Sequence, residues 1–322
     1  MDNKITRHRL SNLLQYEWII IAIVTAIIIV AVNMLYVVTA VRLSAGQHFH
    51  YFFDENVNNA YEDSFYNLLT KDPPENTFSF DVLEVSGEKL TKNYNLLNTR
   101  LTAKEGDAII TDTVPVDYGG YPYRRANLLI DNYRITPVYS FEDLLKDANE
   151  YLDRFYVGDA LDENSVKVNF EKRTKGDNRF LSEKDKKAGL EKEILRIRKI
   201  KSSAALLEKL LDLDDTLPDD EKLFYRYTRY EQSYNIAAEK EKEEYREIYE
   251  KEKAEVGERR YGLITSRLTG GELNSGKFFR LTGGGTSDVV IMFFDLLNYQ
   301  PDLQFEELSF LDTIIGRFSD LK

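Results

Sequence analysis

An uncharged apolar stretch near the N-terminus constrains this chain more than any other feature. From Trp18 to Val41 the sequence carries no charge, and only Thr25, Asn33 and Thr39 interrupt its apolar side chains. At 1.5 Å per residue a helix of this length spans about 36 Å, more than the ~30 Å hydrocarbon core of a bilayer. A helix satisfies its own backbone hydrogen bonds in lipid. We therefore predict one transmembrane helix at 18–41.

The basic residues around this stretch predict its orientation. Lys4, Arg7 and Arg9 precede it, and Arg42 alone follows it. The positive-inside rule then places a tail at 1–17 in the cytoplasm and the rest of the chain outside the cell. A cleaved signal peptide is the alternative, but its apolar region would have only ~7–15 residues. We expect an uncleaved signal-anchor in a single-pass protein of the cell membrane.

Composition excludes several classes of function. Lys and Arg number 43 against 55 Asp and Glu, a formal charge of -12. This balance argues against a nucleic-acid partner, because phosphates require a basic surface. The chain has no cysteine, so disulfides, cysteine-ligated metals and thiol catalysis are absent. We expect no cofactor.

Outside the membrane segment, residues 47–158 predict the first part of an α/β (or α+β) body. A helical pattern from about Asp54 to Leu69 is followed by strand-like alternation at 78–82. A short helix near Glu88 to Leu101 precedes the apolar run Ala108–Ile110. Helices and strands that alternate in this way are typical of α/β folds. Ser140 then begins an amphipathic helix with a capping-box-like pattern.

Residues 159–256 are densely charged and predict a long antiparallel helical hairpin inserted into the body. Apolar residues at helical spacing mark its two helices: Ile194, Ile197, Ala204, Leu207 and Leu211 for the first, and Leu223, Tyr227, Tyr230, Tyr234, Ala237, Tyr245 and Ile248 for the second. The second set approaches coiled-coil spacing. Tyr227, Tyr230 and Tyr234 are therefore candidate partner-binding residues, with ordinary core packing as the alternative.

The last part, 257–322, predicts the second half of the α/β body. Three short apolar runs, at 261–268, 277–281 and 289–294, indicate an antiparallel meander, and a final helix closes the chain. The segment from Gly271 to Lys277 matches seven positions of a phosphate-binding loop. Phe278 stands where magnesium coordination requires Ser or Thr, so we interpret the segment as a hairpin turn.

A tyrosine- and arginine-rich loop is the best candidate for ligand binding. It contains Tyr118, Tyr121, Tyr123, Arg124 and Arg125. Aromatic faces pack against sugar rings or peptides, and arginine pairs with anionic groups. The alternative is a tyrosine-rich loop that packs on the body.

Histidine is too scarce for most catalytic arrangements. His48 and His50 accompany only His8, and two residues apart on a helix they point to different faces, so we expect no metal site. With no other histidine and no cysteine, we expect no serine or cysteine triad in the globular region. Carboxylates are numerous, yet no spacing singles out a pair for glycoside hydrolysis. We expect no catalytic residues.

Two segments resemble extracellular solute-binding proteins. One runs from Asn95 to Ile110, where a helix ends in an Ala, Gly and Asp stretch before a buried strand, and the other is the helix start from Tyr139 to Leu145. The layout is also similar to uncharacterised single-pass membrane proteins of low-GC Gram-positive bacteria, sometimes found with sugar transporters. Unlike true solute-binding proteins, this chain lacks the lipoprotein cysteine.

The resemblance implies a membrane-anchored, outer-surface binding module that captures a small solute or assists a transporter, without catalysis. A structural membrane protein whose helical hairpin mediates assembly with a partner is the first alternative. An extracytoplasmic hydrolase is the second.

Overall fold

The computed structural model describes most of the chain. The described residues are 18–39, 47–59, 69, 78, 82–90, 95–118, 121–132, 137–227, 243, 246–248, 250–251, 253–254, 257–268, 279–281, 289–295 and 305–318. They fall into two compact units, one up to Leu43 and one from Ser44.

The first unit contains helix α1, Trp18–Thr39. Its side chains are described over 18–34, where the apolar ones are exposed, Ile20 at 61% and Met34 at 65%. No helix in the described part of the chain is long and apolar enough to cross a membrane.

This finding contradicts the transmembrane helix predicted at 18–41. It also overturns the predictions that depended on it, namely the single-pass topology and a location in the cell membrane with a cytoplasmic tail at 1–17 and an extracellular domain. The membrane as a partner stays a prediction.

The second unit is a mixed α/β domain. Its strands are β1 His48–Phe53, β2 Val57–Asn59, β3 Glu84–Lys89, β4 Ala108–Asp112, β5 Pro115–Tyr118, β6 Tyr121–Arg124, β7 Tyr156–Val157, β8 Ala160–Leu161, β9 Phe224–Tyr227, β10 Arg259–Ile264, β11 Phe279–Leu281 and β12 Val289–Phe293. Its helices are α2 Asn95–Thr102, α3 Arg125–Asn132, α4 Phe141–Leu152, α5 Glu163–Arg173, α6 Glu183–Thr216 and α7 Glu306–Phe318.

The main sheet has six strands in the order β3-β1-β4-β12-β10-β9. β1 runs parallel to both β3 and β4, whereas β12, β10 and β9 continue the sheet antiparallel. Along β1, Phe49, Tyr51 and Phe53 point into one core and Phe52 into another. This alternation buries the sheet on both faces.

Helices cover the two faces of the sheet in separate layers. The larger core joins the sheet to α4, α6 and α7, and the smaller one joins it to α2 and α3. Helix α4 begins where Ser140 accepts a hydrogen bond from the Asp143 backbone, as the capping pattern predicted. The α/β class that the sequence predicted is therefore present, as a three-layer sandwich.

The predicted helical hairpin is wrong at the start of its second helix. Helix α6 lies in the larger core, where Ile197, Ala204 and Leu207 are buried, and it therefore does not project from the body. The chain then forms strand β9 at the first residues of the predicted second helix, and most of the remainder of that helix lies outside the described residues. The buried Asp214 carboxylate accepts the Leu223 backbone N–H at 2.6 Å and thereby turns the chain into the sheet.

Two further sequence predictions are wrong in detail. The predicted meander fails because β11 leaves the main sheet and pairs with β2. Residues 57–59 form β2, so the predicted helix from Asp54 does not begin there. The hairpin turn predicted at Gly271 to Lys277 lies outside the described residues.

A buried ion cluster fastens α6 to its neighbours. The Glu193 side chain, 1% exposed, accepts hydrogen bonds from Arg196 at 2.8 Å and from Arg173 on α5 at 2.7 Å. Arg196 also donates to the Tyr151 hydroxyl on α4 at 2.6 Å. The single carboxylate therefore compensates two buried guanidinium groups, and three helices depend on it.

Candidate functional site

Carboxylates converge where the parallel strands β1 and β4 end. Asp54 follows β1 directly, and Asp112 is the last residue of β4. Both side chains are fully buried. Because β1 and β4 are parallel neighbours, their carboxyl ends meet at the same edge of the sheet. We refer to Asp54, Glu55, Asp112 and Arg125 as the carboxylate cluster.

Arg125, the first residue of α3, lies among the three carboxylates. Its Nη1 donates to Asp54 Oδ1 at 2.8 Å, and its Nη2 donates to Glu55. Asp54 also accepts the Thr111 hydroxyl at 2.6 Å through Oδ2. The buried Asp54 carboxylate is thus held by a guanidinium, a hydroxyl and a backbone N–H, which explains how it stays buried.

The hydrogen-bonding capacity of the Asp112 carboxylate is less fully used than that of Asp54. Its Oδ1 accepts the Val114 backbone N–H at 2.9 Å. Its Oδ2 is buried and has no hydrogen-bond partner among the described residues, and Arg125 Nε lies 3.9 Å away. Burial and the neighbouring charge of Asp54 raise the pKa of Asp112. A side-chain hydrogen bond with Asn56 opposes this rise, and a buried carboxylate oxygen without a donor is costly.

The cluster carries more negative than positive charge. Three carboxylates face one guanidinium, and in the ionised state they leave an excess of two negative charges. The described residues contain no group of three or more side chains able to hold a metal ion. The arrangement can accept hydrogen bonds from a cationic donor and offers no comparable site for an anion.

The structure brings one of the five predicted ligand-binding residues into this cluster. Tyr118, Tyr121, Tyr123 and Arg124 belong to the β5–β6 hairpin, in which Tyr118 pairs with Tyr121 and Val116 with Tyr123. The hairpin leads directly into Arg125 at the start of α3. The binding role predicted for the four hairpin residues is not tested and stays a prediction.

Of the three predicted partner-binding tyrosines, the structure describes Tyr227, which lies in a strand and not in a helix. Tyr227 is a buried residue of β9 and donates its hydroxyl to Asp131 at 2.7 Å. Tyr230 and Tyr234 lie outside the described residues, so their predicted role also stays untested.

Sequence reasoning set aside Asp54 and Glu55 as metal ligands beside His48 and His50, and it missed Asp112. Each follows a buried run, Phe52-Phe53 for the first pair and Ala108 to Thr111 for the last. A charged residue that directly follows a buried parallel strand was the available signal, because ligands bind outside the carboxyl ends of such strands. The expected helix from Asp54 concealed it.

Comparisons with known proteins give no relative. No protein family, no curated protein and no solved structure matches the chain. The class that the fold defines is a three-layer α/β domain with a carboxylate cluster at the carboxyl edge of its parallel strands.

Proposed function

We propose that this protein binds a small cationic solute at the carboxylate cluster. One observation carries the proposal: Asp112 Oδ2 is a buried acceptor without a hydrogen-bond donor among the described residues. A ligand ammonium or guanidinium group would supply that donor. Charge-assisted hydrogen bonds of this kind are the stronger ones in proteins.

The topology supports this location. Within the main sheet, the chain after β1 passes to β3, on one side of β1. The chain after β4 passes to β9, β10 and β12, on the other side. The connections after β1 and β4 therefore leave in opposite directions. Open α/β sheets bind ligands in the crevice outside the carboxyl ends at such a switch point.

The charge of the cluster favours the proposed ligand class. Arg125 is engaged by Asp54 and Glu55, so the excess charge that remains is negative. An anionic solute would meet like charges at short range, and a neutral solute would leave the excess uncompensated. This proposal retains solute capture from the sequence analysis and replaces an anion-binding role for Arg125 by a structural one.

A thermal-shift screen of the whole chain tests the ligand class. Spermidine, lysine and arginine represent cationic solutes, and glucose and citrate represent neutral and anionic ones. Stabilisation by a cationic solute alone supports the proposal, because a ligand that binds only the folded state raises its stability. Stabilisation by glucose or citrate alone would contradict it.

A further inference from the structure

A second group of polar residues lies toward the amino ends of β1 and β3. In the parallel pairing, His48 lies opposite Glu84, His50 opposite Ser86 and Phe52 opposite Glu88. Side chains two residues apart on a strand share a face. His48 and His50 therefore share a face with Ser86 and Glu88, and we refer to these four as the serine–histidine cluster.

One serine hydroxyl contacts both imidazoles. Ser86 Oγ lies 2.6 Å from His50 Nδ1 and 2.7 Å from His48 Nε2. A hydroxyl has one proton to donate and lone pairs to accept with. Ser86 can therefore donate to one imidazole while it accepts from the other. Two of the three histidines in the chain are committed to this one hydroxyl.

A carboxylate lies near the second ring nitrogen of the buried histidine. His50 is 4% exposed, and its Nε2 lies 3.5 Å from Glu88 Oε2. That nitrogen is buried without a hydrogen-bond partner among the described residues. The Glu88 carboxylate accepts from Arg100 Nε at 3.2 Å, and Arg100 also donates to Glu105 at 2.6 Å. The order of groups, hydroxyl, imidazole and carboxylate, resembles the constellation that activates a serine for nucleophilic attack, with an ion-pair distance in place of a hydrogen bond between the imidazole and the carboxylate.

We propose that Ser86 is an activated nucleophile for acyl-group transfer, with His50 as the general base and Glu88 as the carboxylate that orients it. Ser86 Oγ attacks the carbonyl carbon of an ester, and its proton passes to His50 Nδ1. The alkoxide then leaves with that proton as an alcohol, and an acyl-Ser86 ester remains. Water hydrolyses this ester with His50 as the base, which restores the hydroxyl and releases the acid.

Access to the hydroxyl is consistent with this role. Ser86 is half-buried, and β3 lies at one edge of the sheet among the strands that the structure describes. The second imidazole, that of His48, contacts the same hydroxyl, and the Arg100 guanidinium is held by Glu88 and Glu105. The site is distinct from the carboxylate cluster and does not depend on the proposed solute binding.

From the sequence we expected no serine triad, because the chain has no histidine besides His8, His48 and His50. The structure places both histidines within the α/β domain, on strand β1, in contact with Ser86. Ser86 lies 36 positions from His50 in the sequence, so local spacing does not reveal their contact.

Covalent labelling of the whole chain with an alkyl fluorophosphonate tests the proposal. In this reaction the Ser86 Oγ–P bond forms, the P–F bond breaks, fluoride leaves and the proton passes to His50. Intact-mass and peptide-mass measurements locate the adduct. We expect one adduct, at Ser86, and its absence in Ser86→Ala. Ser202→Ala is the matched control, because Ser202 is exposed on α6 and its hydroxyl donates to a backbone carbonyl.

Two further variants test the activation itself. We expect His50→Gln to slow labelling at least about 100-fold, the lower end for loss of a general base, and Glu88→Gln to slow it about tenfold, because the base itself is retained. Circular dichroism checks that each variant is folded, and Glu88→Gln alters a partly exposed residue in case His50→Gln does not fold. An unlabelled Ser86 in the wild-type chain, or an unchanged rate in Glu88→Gln, would overturn the proposal.

Discussion

Arg125 Nη1 lies 2.8 Å from Asp54 Oδ1, which joins the first residue of α3 to the end of β1 across 71 positions of sequence. The Asp54 side chain is fully buried and that of Arg125 is 9% exposed. The pair fixes the carboxyl edge of the parallel strands, and the remaining acceptor of Asp112 lies beside it.

Removal of Arg125 should destabilise the domain strongly. Arg125→Ala leaves the buried Asp54 without its cation, and such a loss costs about 3–5 kcal/mol in the free energy of unfolding. Urea denaturation measures this value. The double variant Asp54→Asn/Arg125→Met should lose less than Arg125→Ala alone, since the charge of the fully buried Asp54 is then removed together with its cation. A double variant less stable than Arg125→Ala would contradict this assignment.

Loss of the Glu193 carboxylate should lower the free energy of unfolding far more than loss of the Glu191 carboxylate on the same helix. Glu193→Ala leaves the buried guanidinium of Arg196 and the nearby Arg173 without their shared carboxylate, at a cost of about 3–5 kcal/mol. Glu191→Ala, an exposed position of α6, should change the free energy of unfolding by less than about 0.5 kcal/mol. Equal effects in urea denaturation would show that the buried cluster does not support α6.

Stability should decrease as the pH rises from about 4.5 to 7. Burial, followed by the charges of Glu306 and Asp295, raises the pKa of Glu307 to about 7, and burial also raises the pKa of the neighbouring Asp107. The folded state therefore retains protons that the unfolded state loses above about 4.5, so folding is favoured at the acid end of this window and the advantage is lost toward pH 7.

Chemical denaturation at pH 5 and pH 8 measures this dependence. Glu307→Gln should reduce the difference in unfolding free energy between the two pH values, because an amide does not titrate. Glu208→Gln, at an exposed position of α6, should leave the difference as in the wild type. A wild-type chain whose stability increases from pH 5 to pH 8 would contradict the prediction.

Labelling of Ser86 should depend little on pH between 5.5 and 8. Burial, with His48 and Arg100 as the next contributors, lowers the pKa of His50 to about 4, and Glu105 opposes them. Glu88 also faces this imidazole. His50 is then neutral and able to accept a proton across this range. A labelling rate that falls with a midpoint near 6.5, the ordinary histidine value, would contradict this environment.

Local sequence patterns predicted some helices and strands well, and they failed where long-range contacts determine the structure. The capping sequence at Ser140 predicted α4, and the apolar run at Ala108 predicted β4. Leu223 to Tyr227 resembled a helical stripe because a strand buried on both faces is nearly continuously apolar. Its place in the sheet depends on Asp214 and on pairing with β10, which local spacing does not encode.

The functional clusters were less predictable than the elements that carry them. The loop that contained Arg125 was identified, but its carboxylate partners lie 70 and 71 positions away. Ser86 gave no local signal, since its chemistry depends on the parallel pairing of β1 with β3. The predicted membrane helix rested on length and apolarity, and no described helix satisfies both.

Isothermal titration of the whole chain tests the central claim, solute binding at Asp112, most directly. The wild type should bind the cationic solute that stabilises it in the thermal-shift screen. Asp112→Asn should weaken that binding about 10- to 100-fold, as expected for a hydrogen bond to a charged group. Asp212→Asn, at an exposed position of α6, should bind like the wild type. Equal affinity of the wild type and Asp112→Asn, or no heat with any cationic solute, would contradict the account.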